Sequence, residues 1–378
     1  MSVYFVTGGT GVVGSAIVER LLRRPDAYVK LLIRAESAEQ LQKRLQTLLT
    51  YWGDAARGAA HRIEALAGDT TEPRFGLSAE DFERVTGACT HLIHSAGVVR
   101  MNLPLADARH AAVGAAQRVV EFARAGRAAG MLRKVEYLST VGVGGRLPGA
   151  VPERWLHEPR AFHNTYEQSK AEAEDVIEQA VGTGLPITVH RPSMVVGDSR
   201  DGRVISFQIF YHLAEFLSGR RTFGVFPDPG GARLDTVPVD YVAGAVIWSG
   251  EREDMVGRIL HLCSGPRHAV PIGELRGRVH EAFSRAGRRL PPPRTVPAGL
   301  FRVAIPLAKR LSNERDRRAL DTLPIFLDYL AEAQAFENDQ TLRTLQAADL
   351  RMPRPDEYLE TVLQRYLAER PQHAPRRA

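Results

Sequence analysis

Val3-Tyr4-Phe5-Val6-Thr7-Gly8-Gly9-Thr10-Gly11-Val12-Val13-Gly14, running on into Ser15-Ala16-Ile17-Val18-Glu19-Arg20-Leu21-Leu22, decides the fold. Val3 to Val6 is β-branched and aromatic, as a buried strand is. Ser15 to Leu22 has helical periodicity. Strand, glycine turn and helix in that order are the context a dinucleotide-binding fingerprint needs. Gly8 permits the tight turn, Gly11 lets the backbone approach a pyrophosphate, and Gly14 lets the helix pack on the strand. The anion would rest on the helix N-terminus, where free N–H groups and the macrodipole favour negative charge. The spacing is G-x-x-G-x-x-G, not G-x-G-x-x-G.

The pattern continues as alternating strand and helix. Strands are predicted at Tyr28–Ile33, Ile63–Asp69, His91–Gly97, Lys134–Thr140 and Ile187–Pro192, with helices over 38–51, 77–85 and 111–129. Ser78 is a candidate N-cap for the second of these helices. Such alternation predicts an α/β fold, a doubly wound parallel sheet of Rossmann type. The second strand ends at Arg34, where NAD-binding folds usually place an acidic residue for the ribose 2′-OH. A cation there, with Arg44 further on, suits the 2′-phosphate of NADP.

Tyr166 and Lys170 lie four apart in Asn164-Thr165-Tyr166-Glu167-Gln168-Ser169-Lys170 and share a helical face. A cation beside a phenol lowers its pKa toward the range useful for general acid–base work. The same spacing is also met by a surface tyrosine and a solvated lysine. Ser139 and Thr140 fall at the carboxyl end of a predicted strand, where such sheets bind ligands. Thr140 is the first choice as a second hydrogen-bond donor and Ser139 the alternative. His91 and His94 read as packing or strand-end residues, since no metal motif surrounds them.

Composition bounds the function. The 378 residues carry a formal charge of +6, spread without the basic, aromatic-interleaved stripe of a nucleic-acid site. Cys89 and Cys263 are the only cysteines and form no metal or CxxC spacing, which points to a reduced cytoplasmic setting. No signal peptide is expected ahead of the first strand, and no apolar run reaches the ~18 residues of a spanning helix.

The N-terminal part, 1–197, is predicted to bind the nucleotide. The region 198–370 is predicted to bind substrate, with strands returning to the sheet at about 234–265 and a smaller, mostly helical C-terminal part. Phe207, Phe210, Tyr211 and Phe216 suggest an apolar pocket. The apolar segment 296–311 is read either as an ordinary packed helix or as a lid or peripheral membrane patch. Residues 371–378 are expected to be disordered.

Taken together, the chain resembles the extended short-chain dehydrogenase/reductases. Within them it resembles the thioester reductase domains of nonribosomal peptide synthetases and carboxylic acid reductases, and the fatty acyl-CoA reductases. Thr7 to Gly14 matches TGxTGxxG, and Leu32-Ile33-Arg34-Ala35 with Lys43-Arg44-Leu45 is similar to the segment that holds the 2′-phosphate of NADPH. Gly68-Asp69-Thr70-Thr71-Glu72-Pro73 is similar to GDLTEP, which implies Asp69 near the adenine. Ile93-His94-Ser95-Ala96-Gly97-Val98-Val99 resembles IHNAAVV, with Gly97 in place of a common alanine. Tyr137-Leu138-Ser139-Thr140 matches YVST, and Arg191-Pro192-Ser193 resembles the RPS segment beside the nicotinamide. Phe336-Glu337-Asn338 and Pro355 to Leu359 resemble the C-terminal pattern.

The resemblance implies NADPH held by Thr7, Gly8, Thr10, Gly11, Val12, Val13, Gly14, Arg34, Arg44, Asp69, Ser95, Ala96, Gly97, Lys170, Pro192 and Ser193. It implies Thr140, Tyr166 and Lys170 as catalytic residues and no metal. The implied substrate is an acyl thioester on CoA or a separate carrier protein, reduced to an aldehyde, with the alcohol open as a further product. A ketoreductase, dehydrogenase or epimerase of the same superfamily would share these residues. A non-catalytic NADP-binding regulator would have no use for a proton donor.

Overall fold

The computed structural model describes residues 1–220, 222–297, 299–301 and 334–370. Seven parallel strands form the central sheet: β1 (Ser2–Thr7), β2 (Ala27–Ile33), β3 (Ile63–Ala67), β4 (His91–His94), β5 (Lys134–Leu138), β6 (Ile187–Pro192) and β7 (Ile259–Leu262). Their order is β7-β6-β5-β4-β1-β2-β3. The chain winds outward in both directions from β1, so the switch point lies between β1 and β4, where open α/β sheets bind ligands.

Both faces of the sheet are covered, which is why its strands read as nearly continuous apolar runs. Tyr4, Val6, Val29, Leu31 and Ile33 pack on one side with Ile17, Leu21, Trp52 and Val242. Phe5, Leu32, Leu92, Val135 and Tyr137 pack on the other with Phe82, Phe122, Ala173 and Ile177. The alternation follows the period of two along each strand. Val242 belongs to the helix Val239–Gly250, so this returning segment and β7 complete the sheet's own core.

Several element ends differ from the prediction. β4 stops at His94 and β5 at Leu138, short of Gly97 and Thr140. The chain leaves β5 because Thr140 caps a 3-10 turn, its Oγ1 accepting the Gly142 N–H at 3.1 Å. The alanine-rich helix starts earlier, as the α-helical stretch Leu105–Arg109, and passes through a π-helical turn, His110–Gly114, into the α-helix Ala115–Ala128. Ser78 caps the helix Ala79–Thr86, accepting from Asp81 N at 3.0 Å.

A second apolar core lies in the C-terminal half, built from the helices Ile209–Leu217, Ile272–Arg285 and Pro355–Glu369. Tyr358 joins it to the returning strands, its Oη lying 2.7 Å from Thr236 Oγ1. Most of the 296–311 segment and the tail 371–378 lie outside the described residues. No helix among the described residues is long and apolar enough to cross a membrane.

The helix Thr165–Gly182 is clamped to the sheet by a buried ion pair. Arg191 of β6 is fully buried and grips Glu174 through Nε–Oε1 at 2.9 Å and Nη2–Oε2 at 2.5 Å. Breaking such a pair strands a buried charge. Arg191→Met is expected to lower stability by about 3–5 kcal/mol in urea unfolding. The double variant Glu174→Leu/Arg191→Met is expected to recover most of that loss.

Candidate active site

The glycine turn forms an open anion cradle. Gly8 adopts φ +76°, and a Cβ there would lie 2.4 Å from Ala96 N and 2.5 Å from the Ser95 carbonyl carbon. Only glycine fits both the backbone conformation and the approach of β1 to the end of β4. A Cβ on Gly14 would meet Gly8 O at 2.3 Å, so the helix and the turn touch directly. At Gly11 a Cβ would meet only Gly8 O, at 3.2 Å. The helix Val12–Leu22 that follows has no side-chain cap and no acidic residue in its first turn. Its free N–H groups therefore fit a pyrophosphate.

The expected adenosine end lies beyond β2. Arg34 Nε sits 2.7 Å from Asp69 Oδ2, so these two candidates pair with each other at the carboxyl edge of β2 and β3. Arg44 is exposed on the helix Ala38–Trp52, with no ion-pair partner among the described residues. Thr10 is exposed at the turn. Thr7 is not presented to the crevice. Its side chain is fully buried and its Oγ1 lies 2.9 Å from His94 Nδ1, leaving only its backbone to face a ligand. His94 stacks on Tyr137 at 5.4 Å, and burial, with the Lys170 charge adding, lowers its pKa to about 3. It is a neutral packing residue.

Tyr166, Lys170 and Thr140 converge on one cavity. Asn164 caps their helix, accepting from Glu167 N at 3.0 Å, which fixes Tyr166 in the first turn. Thr140, not Ser139, is the hydroxyl that acts on Tyr166, opposing the rise that burial causes. Ser139 Oγ is buried with no hydrogen-bond partner among the described residues.

The electrostatics differ from the expectation that Lys170 lowers the Tyr166 pKa. Burial pushes Tyr166 up to about 12, and the opposing influence is the Thr140 hydrogen bond. Lys170 is itself lowered to about 8 by burial, with Glu174 opposing. Its Nζ donates to Leu138 O at 3.1 Å and lies 5.5 Å from the Tyr137 ring centroid. The ammonium is thus engaged by the Leu138 carbonyl and the Tyr137 ring.

The cavity measures about 320 Å³ and runs from Gly11, Val12 and Val13 past Ser95, Ala96 and Gly97 to Tyr166, then along Pro192, Ser193 and Met194. Its far wall comes from the second core, through Phe210, Leu213 and Ile272, with Ile209 beside them.

These features have a match among known proteins. The family model described as "Male sterility protein", an NAD-binding family, matches residues 6–246. The chain belongs to this family. The reductase domains of nonribosomal peptide synthetases are its relatives, within the extended short-chain dehydrogenase/reductases. It is 29% identical over 279 residues to the non-canonical nonribosomal peptide synthetase FrzA of Cladobotryum sp, a match covering 71% of this chain and 26% of that protein. It is 27% identical over 274 residues to glycine betaine reductase ATRR of Emericella nidulans, covering 68% of this chain and 20% of that protein. The chain thus spans a small part of these curated relatives. The solved terminal R domain from the myxalamid PKS-NRPS biosynthetic pathway superposes with a TM-score of 0.80 at 25% identity, covering 98% of this chain and 90% of that one.

The residues that sequence reasoning missed are mostly C-terminal. Gln208, Ile209, Leu213, Arg233, Asp235, Ile272 and Gln334 line the cavity. Of the aromatic run only Phe210 does; Tyr211 and Phe216 are buried in the second core, and Phe207 packs on Tyr366. Phe336 arrives by pairing of Ala335–Phe336 with Ala150–Val151. Both cysteines are buried, and burial pushes the Cys89 thiol up to about 12 and the Cys263 thiol well up, so neither is a thiolate nucleophile. Among the described residues no cluster of metal-ligating side chains occurs.

The glycine geometry separates two variants. Gly8→Ala is expected to cost at least about 1–3 kcal/mol of stability and to abolish nucleotide binding. Gly11→Ala is expected to keep its stability while weakening nucleotide affinity. Denaturant unfolding beside a fluorescence titration with NADPH checks both.

Proposed function

We propose that this chain is an NADPH-dependent reductase of an activated acyl thioester, carried on CoA or on a separate carrier protein, with an aldehyde as the first product. The observation that carries the reading is the convergence of Thr140, Tyr166 and Lys170 on one apolar cavity that begins at an uncapped helix N-terminus. Residues 1–197 would hold the nucleotide and 198–370 the substrate, with Val239–Gly250 and β7 returning to the sheet. Gly8, Gly11, Val12, Val13 and Gly14 would hold the pyrophosphate, Arg34 and Arg44 the 2′-phosphate, Asp69 the adenine side, and Ser95, Ala96, Gly97, Pro192 and Ser193 the nicotinamide half.

NADPH, when bound, supplies the hydride. The chain's own work is to manage the carbonyl oxygen. Tyr166, raised to about 12, is protonated at neutral pH and is the donor that a reduction requires. Thr140 adds a second hydrogen bond where negative charge develops. The oxygen takes the Tyr166 proton, giving a hemithioacetal; its C–S bond then breaks, the sulfur leaves as a free thiol, and the carbonyl re-forms as the aldehyde. The buried surroundings strengthen each of these interactions by excluding water. A related protein agrees with a carrier-bound substrate: one solved structure with the same fold is a thiolation-reductase di-domain from an archaeal non-ribosomal peptide synthetase.

Tyr166→Phe is expected to lower kcat about 10²–10⁴-fold with little change in NADPH affinity, read as NADPH oxidation with acyl-CoA and acyl-pantetheine substrates. Unchanged turnover would sink the reading. The pH dependence follows from Lys170, lowered to about 8. It is charged below that pH and neutral above it, so kcat is expected to fall as pH rises through about 8. Arg34→Ala is expected to weaken NADPH binding about 10–100-fold, the worth of a charge-assisted contact, while leaving NADH binding nearly unchanged.

A further inference from the structure

We propose that the cavity beside Tyr166 takes an uncharged, apolar acyl chain, and that the single side chain of Ile272 sets where that chain must end. This rests on the thioester reductase reading above. The wall opposite the glycine turn is made of Met194, Ile209, Phe210, Leu213 and Ile272. Ile209 and Leu213 lie four apart on the helix Ile209–Leu217 and share a face.

The charged groups at this wall are already engaged. Asp235 is buried and accepts the N–H groups of Ser264 and Gly265, each at 2.8 Å. Arg233 Nη1 donates to Ala269 O at 2.8 Å. A terminal ammonium would lose its hydration here, and Arg233, whose Nη1 bonds a neutral carbonyl, adds a like charge rather than a counter-charge. An aliphatic chain gains from the same wall.

Ile272 has a distinct place. Beyond it lies a small void of about 10 Å³, lined by Phe216, Leu217, Phe226, Pro227 and Pro229, with Gly273 and Arg276 at its edge. Among the described residues Ile272 alone lines both the cavity and this void. Its side chain is therefore the partition between them. The backbone behind it is tied down: Ile272 N donates to Ala232 O at 3.1 Å, and Val270 and Pro271 pair with Leu234 and Arg233. Ile272 is 4% exposed. The length limit is thus a fixed side chain, and the space beyond opens when that side chain is trimmed.

The test measures NADPH oxidation with linear acyl-pantetheine thioesters of increasing length, each beside a partner with a terminal ammonium. For the wild type, kcat/KM is expected to rise about fourfold per added methylene until the chain reaches Ile272, then to fall. The ammonium-bearing partners are expected at least about tenfold lower. Ile272→Ala is expected to move the optimum to longer chains and Ile272→Phe to shorter ones. Ile272→Val, which keeps most of the packing, is expected to move it in the same direction as alanine by a smaller step. An optimum that stays in place in all three variants, or equal turnover of the ammonium-bearing chains, overturns this inference while the reductase reading stands. No oxidation with any thioester by the wild type overturns the reductase reading itself.

Discussion

The grip of Arg191 on Glu174 is the constraint on which the site depends. Tyr166, Lys170 and Glu174 follow one another at four-residue intervals along the helix Thr165–Gly182, so they lie on one face of it. Glu174 is held from β6, Lys170 donates to Leu138 at the end of β5, and Tyr166 meets Thr140 just beyond that end. Three successive contacts thus fix the helix in rotation and in height. Arg191 has no slack to give, because its Nη1 also donates to Arg154 O at 3.0 Å and lies 3.2 Å from His261 Nε2. Rotating the helix would leave a guanidinium and a carboxylate buried without partners, a larger cost than any single contact at the site.

Burial, rather than mutual attraction, sets the protonation of the pair. It raises the phenol and lowers the ammonium, favouring the neutral form of each. A nearby cation steadies the phenolate left behind when a tyrosine gives up its proton. A tyrosine that gives one is served by staying protonated, with Thr140 oriented on the same oxygen. The same burial silences a neighbour: His94, at the carboxyl end of β4, falls to about 3 and is neutral at physiological pH.

What could be read from the sequence was what is local. The glycine turn, the sheet's apolar strands, Tyr166 with Lys170, and the hydroxyls after β5 each follow from a few consecutive residues and their spacing. Strand ends were overrun by two or three residues because the chain is captured by side chains there, as Thr140 captures Gly142 N. Thr7 sits in the glycine fingerprint, yet its side chain turns toward His94, a contact 87 positions away that spacing does not announce. The far wall was illegible for the same reason. Ile272 and Phe336 arrive through short pairings of distant segments, Leu234 with Val270 and Val151 with Phe336. The aromatic run at Phe207–Phe216 carried a true apolar signal, but periodicity cannot distinguish a residue that lines a cavity from one that fills a core.

The cavity lies where two independently packed cores meet, and this division has a mechanical consequence. Thr140, Tyr166 and Lys170 are anchored to the sheet and its helices, whereas Phe210, Leu213 and Ile272 belong to the cluster formed with Tyr358, Val362 and Tyr366. A substitution in the second core changes the shape offered to substrate and leaves the contacts among Tyr166, Thr140, Leu138 and Lys170 in place, because no member of that set packs in it. Close packing transmits strain within a core far better than across a void. Tyr166 can therefore be held in place by buried charge while the far wall of the cavity varies around it.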